Sequence, residues 1–97
     1  MNNTMEKYLV EIYHDKEEID CALAAKIFLS SGSHFLVNAD WGCNDNVHKA
    51  WMIVDAENRE EVRRIIPSIF KSKATIVGLN KFTWDEVNAI LTKYHNQ

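Results

Sequence analysis

An α+β domain built on one antiparallel sheet is the expectation from this 97-residue chain, and three observations carry it. Four short stretches are rich in β-branched and aromatic residues. Three others combine helical spacing of apolar residues with capping pairs at their starts. Two of the strand-like stretches, around Tyr8–Tyr13 and Ala50–Val54, are apolar on both faces, as central strands covered on two sides would be.

Taken in order, Met1–Thr4 is polar and expected to fray. Tyr8-Leu9-Val10-Glu11-Ile12-Tyr13 reads as a strand, with Tyr8, Val10 and Ile12 on an apolar face and Leu9, Glu11 and Tyr13 on a mixed one. Asp15 and Glu18 have the spacing of a capping box, predicting a helix from Asp15 to about Ser30 with Ile19, Leu23, Lys26 and Ile27 along one stripe. Gly32 suits the left-handed residue that ends such a helix. His34–Asp55 then reads as a hairpin. Phe35, Val37, Ala39 and Trp41 alternate with Leu36, Asn38 and Asp40, Gly42–Asn46 has turn chemistry, and Ala50–Val54 forms the return strand. Pairing Trp41 with Ala50, Ala39 with Met52 and Val37 with Val54 keeps apolar neighbours on one face. A one-residue slip would misplace every side chain, whereas a two-residue slip keeps the faces and leaves the exact turn open.

Asn58 and Glu61 form a second capping pair ahead of Val62, Ile65, Ile66, Ile69 and Phe70. Pro67 lacks a backbone donor and disfavours a helical Ile66, so the helix should stop there and residues 67–70 form a separate turn. Ala74–Leu79 is the fourth strand. Thr83 and Glu86 open a last helix whose Trp84, Val87, Ile90, Leu91 and Tyr94 share a face.

The resulting order is that of a ferredoxin-like βαββαβ domain with strand order 4-1-3-2 plus a C-terminal helix. One domain spans residues 1–97, with its core at about 6–80 and the extra helix at about 83–95. A lone copy would leave Leu9, Tyr13, Trp51 and Ile53 on a bare sheet face, so a homodimer is expected. Charged residues make up 26% and the net charge is −3, which disfavours nucleic-acid binding through phosphate neutralisation. No stretch is apolar enough to span a membrane or act as a signal peptide, and a cytoplasmic location with no membrane partner is the expectation. Three scattered glycines build no phosphate loop.

In layout the chain resembles the dimeric α+β barrel superfamily, closest to its small uncharacterised single-domain bacterial and archaeal members. The residues carrying the likeness are Lys7–Ile12, Trp51–Ala56 running into Asn58–Glu61, and Ala74–Leu79 leading to Thr83–Glu86. The resemblance implies two sheets packed face to face, with pockets between sheet and helices or within the barrel. It brings no catalytic signature.

Two constellations carry candidate chemistry. On the mixed sheet face, Glu11 or Asp40, desolvated and raised in pKa, would be a general base, with Tyr13 as hydrogen-bond donor. Asn38, Trp51 and Lys49 would bind a ligand there; an Asp40–Lys49 ion pair is the plainer reading of the same face. At the open end of the hairpin, Cys43 beside His48 could form a reactive thiolate or hold a transition metal, completed by His34, an acid or a second subunit. Otherwise no cofactor is expected. Cys21 reads as a buried thiol packing as a small hydrophobe, and His14 and His95 as surface residues. The leading expectation is thus a homodimer binding a small molecule between its layers. A cofactor-free isomerase or monooxygenase using Glu11 and Asp40, and a metal- or redox-responsive protein using Cys43 and His48, are the alternatives.

Overall fold

The structure, a computed structural model, describes residues 5–95, so the expected fraying of Met1–Thr4 lies outside it. Its elements are β1 (Glu6–Tyr13), α1 (Glu18–Ser30), α2 (His34–Val37), β2 (Asp40–Trp41), β3 (Lys49–Ala56), α3 (Arg59–Ile65), β4 (Ala74–Leu79) and α4 (Trp84–His95). Two 3-10 turns, Cys43–Asp45 and Ser68–Lys73, lie between them. The strands form one sheet in the order β2-β3-β1-β4, every neighbouring pair antiparallel; counted from the β4 edge the strands run 4, 1, 3, 2.

Strand alternation sorts the sheet into two faces. Tyr8, Val10 and Ile12 of β1 and Ala50, Met52, Val54 and Ala56 of β3 are buried on the inner face. Ala24 and Phe28 of α1, Leu36 of α2, Val62 of α3, Ile66 and Phe70 close the core over them. Phe28 sits at its centre, with ring centroids 4.8 Å from Trp41 and 5.6 Å from Phe70. Among the described residues no layer covers the outer face, where Tyr13, Ile53 and Val77 are all exposed.

The predicted hairpin needs the largest correction. Its return strand forms, and of the registers that keep the faces Trp41–Ala50 is the one found, but the first strand shrinks to Asp40–Trp41. Residues His34–Val37 are a helical turn, capped by the Ser33 hydroxyl, which accepts from the Leu36 N–H at 3.4 Å. Period-2 alternation would have put Leu36 on the outer face. The helical turn instead drives it into the core, where it is 2% exposed, while Val37 is left at 43%. Burial of a whole leucine side chain outweighs the β preference of so short a segment.

Helix α1 also departs from expectation. It starts at Glu18 behind an N-cap at Glu17 that makes no side-chain cap bond, so the Asp15–Glu18 box does not form. Its buried stripe is Ala24 and Phe28, with Cys21 and Ile27 half-buried, whereas Ile19 and Leu23 are 65% and 52% exposed. A helix apolar on nearly every side gives periodicity nothing to choose between, and the bulk of Phe28 decides the rotation.

The later elements follow the sequence closely. Asn58 Oδ1 accepts from Glu61 N–H at 3.0 Å, α3 ends at Ile65, and Ile66 ahead of Pro67 is extended at ψ 127°. Thr83 and Glu86 form a reciprocal pair, the Thr83 hydroxyl donating to Glu86 Oε1 at 2.9 Å and accepting from Glu86 N–H at 3.1 Å. None of the residues of α4 is buried.

Candidate metal centre

Four potential ligands meet at one end of the sheet, and each arrives by a different local rule. β1 formally ends at Tyr13, but the antiparallel ladder goes one step further: the His14 N–H donates to the His48 carbonyl at 3.0 Å. His14 therefore continues the inner-face series of Tyr8, Val10 and Ile12 and is 6% exposed. His48 faces it across the ladder as the inner-face predecessor of Ala50, with ring centroids 5.7 Å apart. Cys21 sits one turn before Ala24 and two before Phe28, on the stripe that α1 presses onto the sheet. Cys43 opens the 3-10 turn between β2 and β3.

That turn is tightly built. The Gly42 carbonyl accepts from Asp45 and Val47 N–H, and Asn46 takes the left-handed conformation at φ 61°. A Cβ on Gly42 would lie 2.7 Å from the Val47 carbonyl and 2.9 Å from the Trp51 ring, so only glycine brings Cys43 this close to the sheet end.

One ligand atom from each of His14, Cys21, Cys43 and His48 can be chosen so that all four lie within 4.8 Å of one another. Cys43 Sγ is 3.2 Å from His14 Nε2, and Cys21 Sγ is 3.7 Å from His48 Nδ1. Bond lengths of about 2.3 Å to sulfur and about 2.05 Å to nitrogen in a tetrahedron require a sulfur–nitrogen separation of about 3.6 Å. The two observed separations bracket it. The other ring nitrogens are engaged as metal-binding imidazoles require: His14 Nδ1 is 2.9 Å from the Asp15 carbonyl, and His48 Nε2 is 3.2 Å from Asn46 Oδ1. An N–H donated to each of these acceptors would leave the ligating nitrogen with a free lone pair.

The electrostatics suit a cation. The Cys21 thiol is pushed up to about 11, first by its hydrogen bond to the adjacent Cys43 sulfur, then by burial and by the negative charges of Cys43, Asp20 and Glu18. Two sulfurs this close resist carrying charge together, and a divalent ion between them removes that conflict. An open hollow of about 560 Å³ lined by Lys16, Glu18, Cys21, Cys43, Asn44 and His48 supplies an entry path.

Cys43 and His48, anticipated from the sequence, are thus half of a larger set. The missed half corrects two expectations: His14 is a buried member of the cluster, and Cys21 faces it instead of merely filling space. The expectation of no cofactor gives way to a donor set able to hold a metal ion. His34 is not among the donors; it sits exposed on α2, its carbonyl accepting from Asn38 Nδ2 at 2.8 Å. Strand parity was the signal for His14, since it extends an even-numbered buried series. No comparable signal existed for Cys21, because its position depends on how α1 rotates.

The other predicted residues gather on the outer face. The Trp51 Nε1–H donates to Glu11 Oε1 at 2.8 Å, and the Lys49 ammonium reaches Glu11 Oε2 at 3.4 Å, so Lys49 pairs with Glu11 where Asp40 was anticipated. Trp51 chiefly, with Lys49 assisting against burial, holds the Glu11 carboxyl below its usual range, opposite to the shift anticipated for a general base. Asn38, Asp40 and Trp51 line an open depression of about 430 Å³ with Leu9, Met52 and Ile53. Tyr13 lies apart, with the Lys73 ammonium 5.9 Å from its ring centroid.

Comparison with family models, curated proteins and solved structures returns no match for this chain. Among the described residues, no helix is long and apolar enough to cross a membrane.

Proposed function

We propose that the protein binds one transition metal ion, zinc being the best fit, through His14, Cys21, Cys43 and His48. The observation that carries this is the convergence of four soft donors from four separate segments within 4.8 Å. Two thiolates and two imidazoles in a tetrahedron suit zinc, and four protein ligands leave no open position for a substrate. The role that follows is structural or regulatory. The ion ties α1 to the end of the sheet, where a two-residue strand and a short 3-10 turn supply little core of their own. Metal occupancy would then set whether α1 is docked. In this reading the βαββαβ layout is a ferredoxin-like frame whose ligand lies at the strand ends.

The test is metal content after purification without a histidine tag, followed by cobalt substitution. A stoichiometric ion, thiolate-to-cobalt charge transfer and the intense bands of a tetrahedral site are expected, all lost in Cys21→Ser and Cys43→Ser. Binding that survives both substitutions would end the proposal.

A second reading, a small molecule in the outer-face depression, is supported by the convergence of Asn38, Asp40 and Trp51 there. It places the ligand on the opposite side of the sheet core from the cysteines, so Trp51→Ala would remove that binding and leave the metal in place.

A further inference from the structure

The outer sheet face and α4 are two apolar surfaces that no other described part of the chain covers. On the face, Ile53, Leu9 and Val77 are direct neighbours across β3, β1 and β4, forming one apolar row. Ile53 and Val77 are 45% and 48% exposed. Paired charges border the row on both sides, Lys7–Asp55 at 3.5 Å and Lys49–Glu11 at 3.4 Å. An apolar centre within a polar rim is the anatomy of a protein interface.

Helix α4 carries the complementary stripe. Trp84, Ile90, Leu91 and Tyr94 are 80%, 46%, 60% and 66% exposed, an arrangement that a helix keeps only when its apolar side finds another surface. From Trp84 to Tyr94 the stripe runs about 15 Å, and three strands span about 10 Å, so the helix can lie across the row. Its own sheet does not receive it. No residue of α4 is buried, and the chain has a radius of gyration of 17.3 Å and a long axis of 56 Å. A compact domain of this length would have a radius of about 12–13 Å.

We infer that two copies of this chain exchange their C-terminal helices, the α4 of each seated on the Ile53–Leu9–Val77 row of the other. The exchange is isologous, and covering both stripes and both rows removes on the order of 1,500 Å² from water, the size of a stable interface. It does not depend on the metal centre, which lies at the inner-face end of the sheet.

The experiment is solution mass by light scattering for full-length wild type, Ile53→Glu and Leu91→Glu, with zinc content and circular dichroism on the same samples. Both substituted positions are exposed in one chain, so neither change disturbs its core. A wild-type dimer is expected, with each substitution shifting it to monomer by at least tenfold in dissociation constant and leaving zinc content unchanged. A photo-crosslinker at position 91, in an equal mixture of light and heavy isotope-labelled chains, should give mixed-isotope products on the peptides of Leu9, Ile53 or Val77. A wild-type monomer overturns the inference. So does a dimer that Ile53→Glu breaks and Leu91→Glu does not, because the sheets would then meet without the helices. Crosslinks confined to one isotope would show α4 folding onto its own sheet, and would overturn it as well.

Discussion

The outer face of β1 and β3 and the far end of the same two strands make an instructive pair. On the outer face, Glu11 already has its partners: Trp51 and Lys49 satisfy both carboxylate oxygens, and its pKa falls. At the sheet end, two thiols and two imidazoles face one another with no counter-charge among them, and the Cys21 pKa rises. Both places gather ionisable side chains. The first is a completed network that asks for nothing more, whereas the second is a donor set that could hold a cation. Proximity of titratable groups is therefore weak evidence of function until the direction of the shift and its cause are known.

Removing the metal should produce the largest contrast between the two places. With free zinc ten-thousandfold above its dissociation constant, binding stabilises the fold by about 5 kcal/mol, a Tm difference on the order of 20 °C between zinc-loaded and chelator-stripped protein. The difference should vanish in Cys21→Ser and persist in Glu11→Gln. Equal melting of loaded and stripped wild type would erase the contrast altogether.

Phe28→Ala comes next. It opens a cavity at the residue that sets the rotation of α1 and should cost about 3–5 kcal/mol in denaturant unfolding. Zinc affinity should fall with it, since Cys21 rides on the same stripe; unchanged affinity would separate helix seating from ligand placement. Gly42→Ala is expected to cost about 1–3 kcal/mol through overpacking against Val47 and Trp51, and to weaken zinc binding by displacing Cys43. Competition with a chromophoric chelator would measure both.

The pH dependence sharpens the contrast at smaller amplitude. Zinc must displace the Cys21 proton, so well below about 11 its affinity should rise about tenfold per pH unit from this thiol alone. Without metal the sign reverses. A folded pKa raised above the ordinary 9.0 stabilises the fold below that value, and the contribution is lost as pH climbs through about 11. Titration calorimetry at several pH values checks the first statement and melts of stripped protein the second. Glu11→Gln should have the smallest effect, under about 1 kcal/mol, because its ion pair is only half-buried and screened by solvent. Its contribution is present above the ordinary carboxylate range and disappears as pH falls through the lowered value, which acid unfolding of the pair of proteins would report.

What the sequence determined by itself is what neighbours along the chain decide. Capping chemistry at Asn58 and Thr83 set helix starts, Pro67 set a helix stop, and alternation in β1 and β3 set which residues face inward. The same alternation, carried one residue past Tyr13, held the placement of His14. Tertiary structure alone decided the rest. A helix as evenly apolar as α1 has no preferred side until Phe28 finds Trp41 and Phe70, and that choice turns Cys21 toward the sheet end. Leu36 likewise reached the core through a helical turn against its local alternation, because burial against the finished core outweighed strand preference. The candidate metal centre inherits both limits: local rules could bring Cys43 and His48 together, and only the packing of α1 could add the Cys21 thiol to the cluster.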